Sequence, residues 1–242
     1  GRLGVAVAAP AAALHVQGQQ IGGPTAWPPC PLTPAGYVSG NASVAYVSGQ
    51  AYGNGLYVMS CSGFYSSGST QNYPACLAFN GNKAVYISGN TNTYFWQSVN
   101  SVYSTSSPYL YTGSVTTTYN GNQSFIGEWL QLQLPAPIVL SSHVINGSYS
   151  GGPSTTSSYP GGFAVLGSSD GTKWFSIEIR SDTSSGWTTG VDRAFVVSNN
   201  TTAYSYYRIV ISRTAVNAGF TTISEWTLYG SPSPPPAAVI TG

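Results

Sequence analysis

Residues 129–134 read WLQLQL. Leu130, Leu132 and Leu134 fall on one side of an extended chain and Gln131 and Gln133 on the other, the period-two pattern of a strand with one buried face. From Leu56 to Gly230 no stretch places apolar residues at i, i+3, i+4 and i+7 over three turns, so the chain offers a helix nothing to build on. Short alternating runs separated by Gly, Asn, Ser and Pro take its place. Pro135 and Pro137 are expected to end the first strand, and IVLSSHVI to start another that carries His143 on its surface. GGFAVLGSSDGTKWFSIEIR, residues 161–180, reads as a hairpin with its turn at Ser169–Asp170–Gly171. Its second arm is expected to hold Phe175, Ile177 and Ile179 on one face. AYSYYRIVIS adds a strand with Tyr207, Ile209 and Ile211 on one side, and EWTLYG closes the series. Strands this short and this regularly spaced predict an all-β sandwich or jelly roll.

The flanks differ. Residues 1–23 contain the ten-residue apolar run VAVAAPAAAL, too short for a bilayer core of about 30 Å. Residues 24–53 begin with PTAWPPCPLTPAG, whose prolines block helix and central strand alike, and read as an extended linker. The sandwich is expected over 54–230, and SPSPPPAA in 231–242 as a stiff tether. Seven basic residues face six acidic ones, and charged residues make up 5% of the chain, which argues against nucleic-acid binding. Nothing predicts membrane insertion. Cys30, Cys61 and Cys76 allow one disulfide at most and read as small residues in or near a core.

The strand series resembles the discoidin family, the coagulation-factor-5/8 type C domains with a galactose-binding-like jelly roll. The resemblance is carried in order by YVMSCSGFYSS and YPACLAFNGN (57–82), FWQS (95–98), GEWLQLQLP (127–135), FAVLGSSDGTKWFSI (163–177), YYRIVI (206–211) and ISEWTLYG (223–230). LGVAVAAPAAALHVQG, near the N-terminus, resembles a repeat of phage and virus fibre shafts, so the arm in 1–23 implies partner chains. The Tyr- and Ser-rich, charge-poor character looks most like versions in virion proteins of large DNA viruses. The resemblance thus implies a structural or attachment protein of a virus particle. Its partners would be capsid or fibre subunits in a homo-oligomer, a trimer among the options, with a host glycan touched by sandwich loops. The alternative is a carbohydrate-binding module of a secreted or cell-surface protein.

The resemblance also implies a structural calcium at Asn80, Thr91 or Thr93, and Glu225. Asn80 stands where relatives carry Asp, so affinity should fall, because calcium favours charged oxygens. Sugar sites stack rings against the ligand and orient it with a few polar donors. The loop residues suited to that are Tyr149, Tyr159, Arg180, Trp187 and Arg193. Sequons begin at Asn41, Asn122, Asn146, Asn199 and Asn200. Glu128 and Glu225 each precede a tryptophan and are the obvious carboxylate pair for a glycosidase. No nucleophile or metalloprotease motif accompanies them, so an enzyme is not expected. Both are read instead as fold residues, Glu128 on a rim and the two tryptophans closing the core.

Overall fold

A computed structural model of the protein describes residues 24–32, 42–46, 52–66, 72–83, 95–147, 158–188 and 190–232. Its strands are β1 (Thr25–Trp27), β2 (Ala42–Tyr46), β3 (Gly55–Cys61), β4 (Trp96–Gln97), β5 (Thr116–Tyr119), β6 (Gln123–Ile126), β7 (Glu128–Asn146), β8 (Pro160–Ser168), β9 (Phe175–Arg180), β10 (Asp192–Val196), β11 (Ala203–Thr214), β12 (Thr222–Ile223) and β13 (Glu225–Pro232). The regular helical structure among the described residues is one 3-10 segment, Ala75–Phe79. The fold is all-β, as the alternation predicts.

The 19-residue β7 organises everything else. Its first half lies between β3 and β11, and its second half between β13 and β10. One layer therefore runs β2–β3–β7–β11–β8–β9 and the other β1–β13–β7–β10. Their facing sides share one core, in which Leu130, Leu132, Phe163, Val165, Tyr207 and Ile209 meet Ile145, Phe195, Trp226 and Leu228. Trp27 of β1 and the Ala42–Tyr46 strand join the sheet, so the segment read as a linker supplies two strands.

Pro135 and Pro137 do not end the strand as expected. The ladder to β11 passes from Gln133 directly to Ile138, and on the other side β3 stops at Gln133 and β13 begins at Ile138. The prolines occupy a gap with no ladder partner, where a missing N–H costs nothing.

Two bulges reset which side faces inward. On β7, Leu140 pairs with Gly230 and Ser142 with Tyr229, leaving Ser141 as the extra residue. Even-numbered leucines point inward before it; His143 and Ile145 point inward after it. His143 is therefore fully buried and not on the surface. On β9, Val165 pairs with Glu178 and Leu166 with Ser176, so Ile177 is extra. Ile177 packs on the main core, while Ile179 sits opposite Ala164 on the outer side and is half exposed. The three apolar residues of that arm do not share a face.

The outer side of the first layer carries a smaller cluster, Ala164, Leu166, Trp174 and Val210, with Trp129, Phe125 and Tyr119 against it. Arg208 lies between two of its rings, 4.0 Å from the Trp129 centroid and 4.1 Å from that of Trp174. Its nitrogens donate to Gln131 Oε1 and Thr117 Oγ1. Trp226 does close the main core, but Trp129 serves this outer cluster.

Candidate functional site

His143 anchors a buried polar chain. Trp226 Nε1 donates to its Nδ1 at 3.3 Å, which leaves the ring proton on Nε2 to meet Glu178 Oε2 at 2.8 Å. Glu178 Oε1 in turn accepts from Arg180 Nε. The Ile177 bulge turns Glu178 inward to make this contact. Burial holds the imidazole below its usual range, against the pull of Glu178. A second proton, on Nδ1, would face the Trp226 N–H. This chain braces the core and leaves no reacting group open.

Glu128 is buried rather than on a rim, and among the described residues no arginine pairs with it. Its Oε2 accepts from Ser62 Oγ at 2.6 Å and its Oε1 from Tyr111 OH at 2.9 Å. The Tyr111 hydroxyl oxygen also accepts from Val115 N. Glu128 thus fixes one side of the loop spanning residues 98–115. The same loop is pinned elsewhere: Val102 N and Tyr103 N both donate to Gly219 O, Ser98 N to Thr221 O, and Tyr103 OH to Ile211 O. Gly219 and Ser101 both adopt left-handed backbone, φ 69° and 62°. Glycine does this freely; for Ser101 it is strain held by the surrounding bonds.

Between these two loops lies an open depression of about 530 Å³. Asn100, Ser101, Ser104, Thr105, Thr112 and Phe220 line it, above the buried Tyr103 and Gly219. Its polar groups are hydroxyls and an amide, and no charged side chain contributes. None of these residues is among those expected from the sequence. The halves of the depression lie more than a hundred residues apart in the chain, and a serine in left-handed backbone leaves no mark in the sequence.

Of the residues that were expected, four meet at a second place. Tyr159 is buried and stacks on Trp187, 5.1 Å and 17° between rings. Arg193 lies 4.8 Å over Trp187, and both Arg193 and Arg180 approach Phe195. Tyr149 falls outside the described residues, as do Thr91, Thr93 and Asn41. Asn122 and Asn199 are exposed. Asn146 is buried, and its Nδ2, the atom a glycan would need, donates to Asp192 Oδ1 and Gly190 O, so the folded chain closes that sequon. Asn200 Nδ2 donates to Leu140 O.

Glu225 and the Asn80 loop do come together. Glu225 Oε2 accepts from Gly81 N at 2.8 Å, while Asn80 Oδ1 accepts from Asn82 N. Burial pushes the Glu225 carboxyl up to about 8, opposed by the Gly81 N–H. Directly across the sheet, Asn146 Oδ1 is buried without a donor. The next residue in that rung, Asp192, pairs with Lys83 at 2.6 Å. A buried carboxyl beside an unpartnered carbonyl is an oxygen set that suits a hard cation. Among the described residues no group of three or more His, Cys, Asp or Glu gathers as a metal site. Glu128 and Glu225 belong to separate networks. Cys61 and Cys76 are free thiols, and burial pushes Cys61 up to about 12.

No known family profile matches the chain, and no curated protein matches it. Solved structures do. An F5/8 type C domain from Bacteroides fragilis is 16% identical, with a TM-score of 0.47 over 73% of this chain and 93% of that one. A chitosan-binding module of a chitosanase/glucanase from Paenibacillus is 14% identical, TM-score 0.45, over 71% and 92%. The CBM32-5 module from Clostridium perfringens, in complex with GalNAc-β-1,3-galactose, is 13% identical, TM-score 0.44, over 72% and 95%. The fibre-like arm behind the virion reading, residues 1–23, lies outside the described residues, as do residues 233–242 of the tether. Among the described residues no helix is long and apolar enough to cross a membrane.

Proposed function

We propose that this chain is a non-catalytic carbohydrate-binding module of an extracellular protein, and that the depression between residues 100–112 and 218–220 receives the sugar. The observation that carries this reading is the lining. Neutral hydroxyls and an amide match sugar hydroxyls in both donor and acceptor roles, and Phe220 offers a ring for an apolar sugar face. The pinned backbone around Gly219 favours binding, because little ordering remains to be done when a ligand arrives.

A structural calcium accompanies this reading, held by Glu225 and the Asn146 carbonyl with oxygens of the Asn80 loop. It would supply positive charge to a carboxyl that burial otherwise keeps protonated, and so fasten that loop to the start of β13.

A glycan array followed by titration calorimetry tests the sugar site. Phe220→Ala and Thr105→Ala should each weaken binding about tenfold or more, an effect of about 1.4 kcal/mol, with the melting temperature unchanged. Binding that survives both substitutions would place the ligand elsewhere. Absence of any glycan ligand would remove the reading.

A further inference from the structure

The basic side chains near the start of β10 are not equally answered. Lys83 pairs with Asp192, Arg213 with Asp182, and Arg180 with Glu178. Arg193 has no acidic partner among the described residues; its hydrogen bond goes to a backbone carbonyl, Thr183 O, at 2.7 Å. Its guanidinium lies 4.8 Å from the Trp187 centroid and 5.1 Å from that of Phe195, and Arg180 approaches the same Phe195 ring at 5.9 Å. Two cations thus converge on one ring with a single carboxylate, Glu178, which already serves His143. Burial and the Arg180 charge both hold the Arg193 guanidinium below its usual range.

A second observation points the same way. The indole Nε1–H of Trp187, the ring under Arg193, is buried without an acceptor. An N–H in that state has lost its water without gaining a partner. A cation without a counter-charge and a donor without an acceptor, on stacked side chains, are both relieved by an oxyanion. Arg208 also lacks a carboxylate, but its nitrogens are spent on Gln131 and Thr117 and it lies between two indole rings. Arg193 keeps most of its fork unspent.

We propose that Arg193 and Trp187 form a subsite, separate from the neutral depression, that takes the carboxylate of an acidic sugar of the uronic-acid type. A guanidinium fork suits a planar carboxylate because two N–H groups can reach its two oxygens. The proposal rests on the reading of the chain as a glycan binder.

The test is calorimetric titration of the full chain with an oligogalacturonate and with the same oligosaccharide fully methyl-esterified, in which each carboxylate is a neutral ester. The acid form should bind about tenfold tighter at low salt, and the preference should shrink as salt rises. Arg193→Gln should erase the preference while leaving the ester's affinity in place, and Arg193→Lys should retain part of it. Near-UV circular dichroism confirms that each variant is folded. Equal affinity of the wild-type chain for acid and ester overturns the subsite alone, as does an Arg193→Gln variant that keeps the preference. If neither probe binds, and the neutral glycans do not either, subsite and glycan reading fall together. If neutral glycans alone bind, only the subsite fails.

Discussion

Glu128–Trp129 and Glu225–Trp226 are the same dipeptide at the starts of two strands, and the fold uses them in opposite ways. Trp226 lies wholly inside the main core, while Trp129 turns outward to cover Arg208. Glu128 accepts two hydroxyl hydrogen bonds and fastens the loop that shapes the depression. Glu225 is buried with one backbone N–H as its donor, and its carboxyl rises to about 8. Burial is the larger cause of that rise, and the Gly81 N–H opposes it. The two tryptophans differ because the strand that follows each glutamate presents a different side to the core.

That contrast can be broken by substitution. Trp226→Ala should lose about 3–5 kcal/mol in urea denaturation, the range for a large ring removed from a packed core. Trp129→Ala should lose about 2 kcal/mol less, because its ring is part-exposed and works mainly through Arg208. Similar losses for the two would show that both rings are equally part of the core.

Glu128→Gln comes next, at about 1–3 kcal/mol, since it weakens charge-assisted bonds from Ser62 and Tyr111. Glycan affinity should fall with it, as the loop behind the depression loosens.

The pH responses sharpen the comparison further. In metal-free buffer Glu225 has a raised folded pKa, so its contribution is fully present below about 4.5 and is lost as pH rises through about 8. Glu225→Gln should flatten that decline, which urea melts at a series of pH values would show. His143 acts in the opposite sense. Its folded pKa is depressed, so its contribution is present above about 6.5 and lost as pH falls below that value. In the Glu225→Gln background the loss as pH falls from about 6.5 to about 4.5 should follow His143, and His143→Gln should reduce it; Asp170, Glu178, Asp182 and Asp192, whose carboxyls are held below their usual range, add theirs below that window. A Glu225→Gln curve that keeps the alkaline decline would show that another group controls it.

The smallest effect is the cation's. Millimolar calcium should raise the melting temperature of the wild-type chain by a few degrees, and that of Glu225→Gln by less. An identical rise in both would move the ion away from Glu225.

The alternation of WLQLQL and the Asp170 turn were legible because their cause is local. Leu130, Leu132 and Leu134 are all buried, and Asp170 Oδ1 accepts from Thr172 N and Lys173 N within its own turn. His143 and Ile179 were misplaced for one reason: a single extra residue, Ser141 or Ile177, inverts the sides of a strand and leaves no trace in composition. Tyr159, Trp187, Arg180 and Arg193 could be picked out as loop residues of suitable chemistry, and they do gather. That Tyr159 is buried, and that Arg193 meets no acid among the described residues, depends on distant segments no local pattern reports. The depression itself joins two loops that meet only in the folded chain.

One strand has a further consequence for how the molecule comes apart. Because β7 is hydrogen-bonded to β3 and β11 before its prolines and to β11, β13 and β10 after them, neither layer can detach without tearing its ladders. The sandwich therefore has no natural fracture line. Amide exchange from the centre of either layer should proceed only through global opening and converge on one protection factor, while the β5–β6 ribbon, held outside its own ladder by a Tyr119–Trp174 bridge, exchanges ahead of it.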